Sequence, residues 1–253
     1  MTYAQRTLNI FYRHVHVKTD QISRDPNKAR PVWFSHEACF RNLLKTIARD
    51  RNAARVTITI IYDSSLEDFQ DDFIAKYYAN TSLGLNIQFI AGGSDRNSFL
   101  ITLAIAKSKA HAPHDLIYFL ENDYLHQDGW IDRVLEAFNS DLQFDYLSLY
   151  DHNDKYTYPM YDDLKSKIIC TRNQHWRTAP STCASFIVEH QTLLVDYDIL
   201  SSGLTDYYFF TRLCLERQRV LITPIPGLST HSMLGYISPV VDWATLAKDA
   251  ISE

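Results

Sequence analysis

Apolar residues fall in short, dense runs separated by longer amphipathic stretches over about the first 140 positions. Residues 7–12, 56–62, 85–90 and 116–120 read as strands, the second of them strongly β-branched. Between and after them, residues 35–48, 66–79, 97–110 and 129–138 carry apolar positions at helical spacing, with Ser35 placed to cap the first. Strand–helix alternation of this kind predicts an α/β fold with a mostly parallel sheet covered on both faces. Beyond residue 140 the rhythm changes. Strands are predicted at 146–149, 185–188 and 220–223, a helix at 205–217, and a last helix from Asp242. A polar, aromatic stretch lies between the first two of these strands. Residues 13–31 read as a polar, charged loop. There is no internal repeat and no composition shift that marks a domain boundary.

The 253 residues carry 25 Lys and Arg against 30 Asp and Glu, a formal net charge of −5. That balance argues against a partner gripped through a general basic surface, so nucleic acid is not expected. The four cysteines, Cys39, Cys170, Cys183 and Cys214, are scattered and form no CxxC pair, so neither a zinc site nor a disulfide framework is indicated. The N-terminus lacks an apolar signal core, and no run approaches the roughly 18 apolar residues of a membrane span. The expectation is a cytoplasmic chain with no transmembrane segment, peripheral membrane contact staying open.

Chemistry concentrates where strands end. The fourth strand runs into Glu121-Asn122-Asp123. Two carboxylates held at a rigid strand end suit a hard divalent cation, which can in turn hold a diphosphate. Asp63 follows the second strand and is either an acceptor for a base or ribose or an N-cap or turn acid ahead of the next helix. Arg13 follows the first strand, as a phosphate or base partner or as a solvated surface residue. Arg96, opening a helix after a Gly-Gly-Ser turn, either neutralises a diphosphate or pairs with Asp95. Asp206 opens a later helix, where the dipole favours an acid; aimed into a cleft it could take a proton from a hydroxyl. His231 sits in a loop, as polar surface or as a third metal ligand. Tyr156, Tyr158, Tyr161 and Trp176 either pack the core or form an aromatic platform. Neither a P-loop nor a GxGxxG is present.

Taken in order, Asp63, the helix at 97, Glu121-Asn122-Asp123, Thr205-Asp206 and His231 resemble the GT-A nucleotide-sugar glycosyltransferases, and in particular the large inverting family of bacterial polysaccharide enzymes. The resemblance covers residues 5–235. It departs in having E-N-D for D-x-D, Thr205 for a second acid, and no tryptophan-bearing acceptor motif near the late helix. It implies one GT-A domain over 1–253, with a nucleotide-binding half (1–140) and an acceptor half (141–253). It implies a metal-dependent, inverting sugar transfer from a nucleotide sugar to a hydroxyl of a glycan or lipid-linked saccharide. Asp206 is then the base, and Asp123, Glu121 and His231 hold Mn²⁺ or Mg²⁺. Arg13, Asp63, Arg96, Glu121 and Asn122 contact the donor, and Tyr156, Tyr158 and Trp176 the acceptor. The alternatives are a non-catalytic domain of the same fold that binds a nucleotide sugar or glycan, and a nucleotidyltransferase, the latter disfavoured by a glycine-free segment after the first strand.

Overall fold

A computed structural model describes residues 6–17, 29–80 and 84–252. The polar loop predicted at 13–31 lies partly outside these, at 18–28. In chain order the elements are β1 (Leu8–His14), α1 (His36–Arg49), β2 (Val56–Tyr62), α2 (Leu66–Asp71), α3 (Phe73–Asn80), β3 (Asn86–Phe89), α4 (Asp95–Ser108) and β4 (Leu116–Glu121). Then come β5 (Tyr124–His126), α5 (Trp130–Phe138), β6 (Tyr146–Leu147), α6 (Asp154–Thr157), β7 (Ile168–Cys170), β8 (His175–Ala179) and β9 (Phe186–Glu189). The last are α7 (His190–Leu200), α8 (Asp206–Arg217), β10 (Leu221–Ile225), β11 (Ser229–His231) and α9 (Trp243–Ile251).

Nine strands form one sheet in the order β3-β2-β1-β4-β9-β6-β10-β8-β7, and β5 pairs with β11 in a separate ribbon. β1, β2, β3 and β4 are mutually parallel, β9 runs against β4 and β6, and β8 runs against β10 and β7. Only β9 and β8 therefore oppose the common strand direction, so the sheet is mostly parallel.

Every residue of β1 is buried, because both faces of the sheet are covered. Leu8, Ile10 and Tyr12 point into one core with Phe40 of α1, Ile74 of α3 and Trp130 of α5. Phe11 points into the other with Phe99 of α4, Leu193 of α7 and Phe209 of α8. A central strand buried on both sides reads as a continuous apolar run, which is why β1, β2 and β4 were legible. α9 closes over α1 through Trp243, Ala247 and Cys39.

The helix predicted at 66–79 breaks in two. Ser65 and Asp68 close a capping box at the start of α2. Asp72 then ends α2 and turns its carboxylate inward to His14, His16 and Tyr62. No helix was expected between 189 and 204, yet α7 occupies it. Its inner face includes fully buried Asp196, held by Tyr146, Arg217 and Arg219, and that carboxylate interrupts the apolar pattern.

Candidate active site

Parallel strands of an open α/β sheet leave a crevice at their carboxyl ends. Here β1, β2 and β4 end on a cleft of 340 Å³, lined among others by Arg13, His14, Asp63, Asp95, Glu121 and Asn122. The register brings them together: Arg13 lies beside Ile61 of β2 on one side and Glu121 of β4 on the other.

Arg13 is 5 % exposed and is not a solvated surface residue. Its guanidinium donates to Glu121 Oε1 at 2.7 Å and to Asp95 Oδ1 at 2.9 Å, and lies 5.4 Å over the Phe99 ring. Burial pushes the Glu121 carboxyl above the ordinary range, with Arg13 opposing and Asp123 adding to the rise.

Asp63 is not a helix cap; Ser65 fills that role. Asp63 Oδ1 accepts the Gly92 N–H at 2.7 Å, tying the end of β2 to the turn before α4. Gly92 is required there, because a Cβ would lie 2.5 Å from Asp63 Oδ2 and 2.9 Å from the Ser98 nitrogen.

Asn122 is oriented from behind. Asp72 is an acceptor when ionised, so the His14 Nε2 at 2.9 Å carries the proton. Burial pushes the His14 imidazole below its ordinary range, so the ring is neutral and Nδ1 is left as an acceptor. The Asn122 atom 3.2 Å from Nδ1 must therefore be the amide nitrogen.

The β5–β11 ribbon brings Asp123 and His231 together. Tyr124 is in register with His231, their rings lie 5.0 Å apart and nearly parallel, and the Ser232 N–H donates to the Asp123 carbonyl. Asp123 Oδ2 is 2.9 Å from His231 Nε2 and 2.7 Å from Arg30 Nη1. Burial alone would raise the Asp123 carboxyl, but His231 and Arg30 outweigh it and hold it well below the usual range. Burial would likewise lower His231, and Asp123, with Glu121, outweighs it and raises the imidazole. Asp123 Oδ1 is buried with no hydrogen-bond partner. Among the described residues no three His, Cys, Asp or Glu side chains converge as metal ligands. Glu121 is turned to Arg13, and the donor pair left to a cation is Asp123 with His231.

Asp206 is the first residue of α8, and its Oδ1 accepts the Tyr207 N–H at 2.8 Å. Burial raises its carboxyl, and the negative charge of Asp95 at the cleft adds to the rise.

Two expected site residues are placed elsewhere. Arg96 does not line the cleft; at the exposed start of α4 its guanidinium lies against Gly203. Trp176 is fully buried on β8, its Nε1 donating to Thr171 Oγ1 at 3.3 Å, so its ring packs the core and offers no face to a sugar. Tyr156 and Tyr158 are half-exposed, at 52 % and 41 %. The sequence reading missed His14, Asp72 and Arg30. Each reaches the site through a partner distant in sequence, and no local pattern marks them.

The sheet, with its crevice at the carboxyl ends of the strands, is a GT-A fold, the fold of nucleotide-sugar glycosyltransferases. GalNAc-T7, solved with UDP, GalNAc and Mn²⁺, superposes with a TM-score of 0.56 at 9 % identity, over 92 % of this chain and 45 % of that one. TarS of S. aureus, residues 1–349, gives 0.49 at 12 % identity over 86 % and 57 %. The galactosyltransferase LgtC, with donor and acceptor sugar analogs, gives 0.43 at 9 % over 81 % and 69 %. The chain thus spans about half the length of the first two. No family model and no curated protein matches the sequence. Among the described residues no helix is long and apolar enough to cross a membrane.

Proposed function

We propose that this chain is a glycosyltransferase that moves a sugar from a nucleotide-sugar donor to a hydroxyl of a glycan or lipid-linked saccharide, in polysaccharide synthesis, with inversion. One observation carries the reading: Asp63, Glu121 and Asn122 converge on one cleft at the carboxyl edge of the sheet, with the buried Asp123–His231 pair next along the chain. We place it in the cytoplasm, where its four cysteines stay reduced.

Asp63 accepts from the base or ribose of the donor, and Asn122, its amide nitrogen turned to His14, offers its oxygen to a donor hydroxyl. Arg13 holds Glu121 in place against its own burial. The unpartnered Asp123 Oδ1 fits a divalent cation, and His231 would add a nitrogen ligand, which Mn²⁺ accepts more readily than Mg²⁺, once it gave up the proton that Asp123 holds on it. Bound there, such a cation would offset the charge that develops on the departing nucleoside diphosphate. Asp206, raised toward neutral pH by burial, takes the proton of the acceptor hydroxyl as that oxygen bonds to the anomeric carbon. The bond from the anomeric carbon to phosphate breaks on the opposite face, and the nucleoside diphosphate leaves with the electron pair. Tyr156 and Tyr158 face the acceptor.

The test is a thermal-shift series with UDP, GDP, CMP and dTDP, each with Mn²⁺ and with EDTA, on the wild-type chain and Asp123→Ala. One nucleotide is expected to stabilise the wild type only with Mn²⁺, and none the variant. Stabilisation indifferent to EDTA removes the metal from the reading. No stabilisation by any nucleotide overturns the reading itself.

A further inference from the structure

A second cavity, of 450 Å³, opens beyond α6 and is walled by Lys155, Tyr156, Tyr158, Tyr161 and Arg177. Its volume is within the range of small-molecule sites, about 300–1,000 Å³. We propose that this cavity is the acceptor subsite and that the sugar it takes is uncharged. The proposal rests on the glycosyltransferase reading above and names the acceptor class for it.

The first argument is position. Lys155, which lines the cavity, is also near enough to Asp206 to act on its carboxyl. Tyr158 shares a hydrogen bond of 2.8 Å with the hydroxyl of Tyr236, in the segment that follows β11 and His231. The cavity wall is therefore tied both to the candidate base and to the segment that carries His231.

The second argument is what the tyrosines have left to offer. The Tyr156 hydroxyl donates to both carboxylate oxygens of Asp151 at 3.0 Å. Tyr161 accepts from Lys155 Nζ at 3.1 Å, and Tyr158 is held by Tyr236. These contacts fix the rings in orientation, and the Tyr158 ring presents its apolar surface. A rigid aromatic surface costs little entropy to bind against, and it suits the C–H faces of a pyranose.

The third argument is charge. Both cations of the lining are already neutralised inside the protein. Lys155 pairs with Asp154 at 2.9 Å and Arg177 with Asp151 at 2.8 Å, each with its side chain no more than 7 % exposed. Both are also held over rings, Arg177 at 4.7 Å from Tyr156 and Lys155 at 4.2 Å from Tyr161. Exposed Asp162 adds a negative charge at the rim. A carboxylate or phosphate on the acceptor would meet no free cation here and one acid.

The experiment is saturation-transfer NMR on the full chain. The neutral probes are the methyl β-glycosides of glucose, galactose and N-acetylglucosamine, the anionic probe is methyl β-glucuronide, and UDP binding is measured on the same samples. At least one neutral glycoside is expected to bind the wild type and the glucuronide to bind more weakly. Tyr158→Ala should weaken the neutral glycoside about tenfold, while Tyr158→Phe, which keeps the ring, retains it. UDP binding intact in Tyr158→Ala shows that the variant is folded. No binding by any neutral glycoside overturns the proposal, as does tighter binding of the glucuronide or an undiminished Tyr158→Ala. No binding of UDP, GDP, CMP or dTDP by the wild type with glycoside binding intact overturns the donor cleft and leaves this cavity standing.

Discussion

Asp72→Ala should destabilise the chain heavily, although Asp72 touches no proposed substrate. Asp72 Oδ2 accepts from Tyr62 OH at 2.9 Å, His14 Nε2 at 2.9 Å and His16 Nδ1 at 3.0 Å, and Oδ1 accepts the Ile74 N–H at 2.9 Å. The carboxylate is 2 % exposed and the His14 ring fully buried, while the His16 ring is 13 % exposed. Alanine therefore strands the donors of Tyr62, His14 and Ile74, and water can rescue His16. A buried donor without a partner costs about 1–3 kcal/mol. Admission of water to the vacated space holds the total to about 3–5 kcal/mol, a large share of a typical domain's stability. Urea unfolding followed by tryptophan fluorescence should show a lower midpoint at unchanged slope. The melting temperature should fall by about 6–20 °C. The pH dependence supplies an independent sign. Burial favours a neutral Asp72, but the hydrogen bonds from His14, the Ile74 N–H and His16 outweigh it, so its carboxyl sits well below the usual range when folded. The stability it contributes is fully present above the unfolded value of about 4 and is lost as pH falls below that. His14 is also depressed, so the unfolded chain takes up that proton first and stability falls as pH drops below about 6.5. The wild type should lose stability through both windows, and Asp72→Asn, which cannot titrate at residue 72, through the upper one alone. A change below about 1 kcal/mol in Asp72→Ala would refute the claim that this cluster is dry and mutually satisfied.

Asp206→Asn should lower kcat for transfer by about 10²–10⁴-fold with nucleotide binding unchanged, measured by nucleoside diphosphate release and by calorimetry; full activity would take Asp206 out of the mechanism. Trp176→Ala should cost about 3–5 kcal/mol in chemical denaturation, because it empties a fully buried site; an unchanged midpoint would return Trp176 to the surface. Gly203→Ala should cost about 1–3 kcal/mol by thermal melt, since its φ is +75° and a Cβ would meet the Arg96 guanidinium; a neutral result would mean that the turn before α8 relaxes freely.

β1, β2 and β4 were legible because they are buried on both faces over most of their length and read as nearly unbroken apolar runs. β5, β7 and β11, at three residues each, are too short to carry a period. They exist because a neighbour in the fold supplies the hydrogen bonds. β11 pairs with β5 across more than a hundred residues, and no window of sequence contains that pairing. The split between α2 and α3 has the same origin. Asp72 sits inside a good helical pattern, and what pulls it inward is His14 on another strand.

The site divides along the same line. Glu121, Asn122 and Asp123 announce themselves because a strand's end is a local feature and two acids there are conspicuous. Their partners are not local. Arg13 and His231 each reach their carboxylate across 108 residues, and Arg30 comes from a polar segment with nothing to mark it. The sequence sets both acids on the metal, with Glu121 also on the donor and Asp123 the direct ligand. Both have counter-ions, and what separates them is the oxygen each has left over. Glu121 is neutralised by a guanidinium that also grips Asp95, and it stands as the wall of the cleft. Asp123 is paired with Arg30 and His231 through Oδ2 alone and keeps Oδ1 buried and unpartnered, and a buried carboxylate oxygen without a partner is costly. That asymmetry is why Asp123, and not Glu121, is the residue on which the metal dependence should turn.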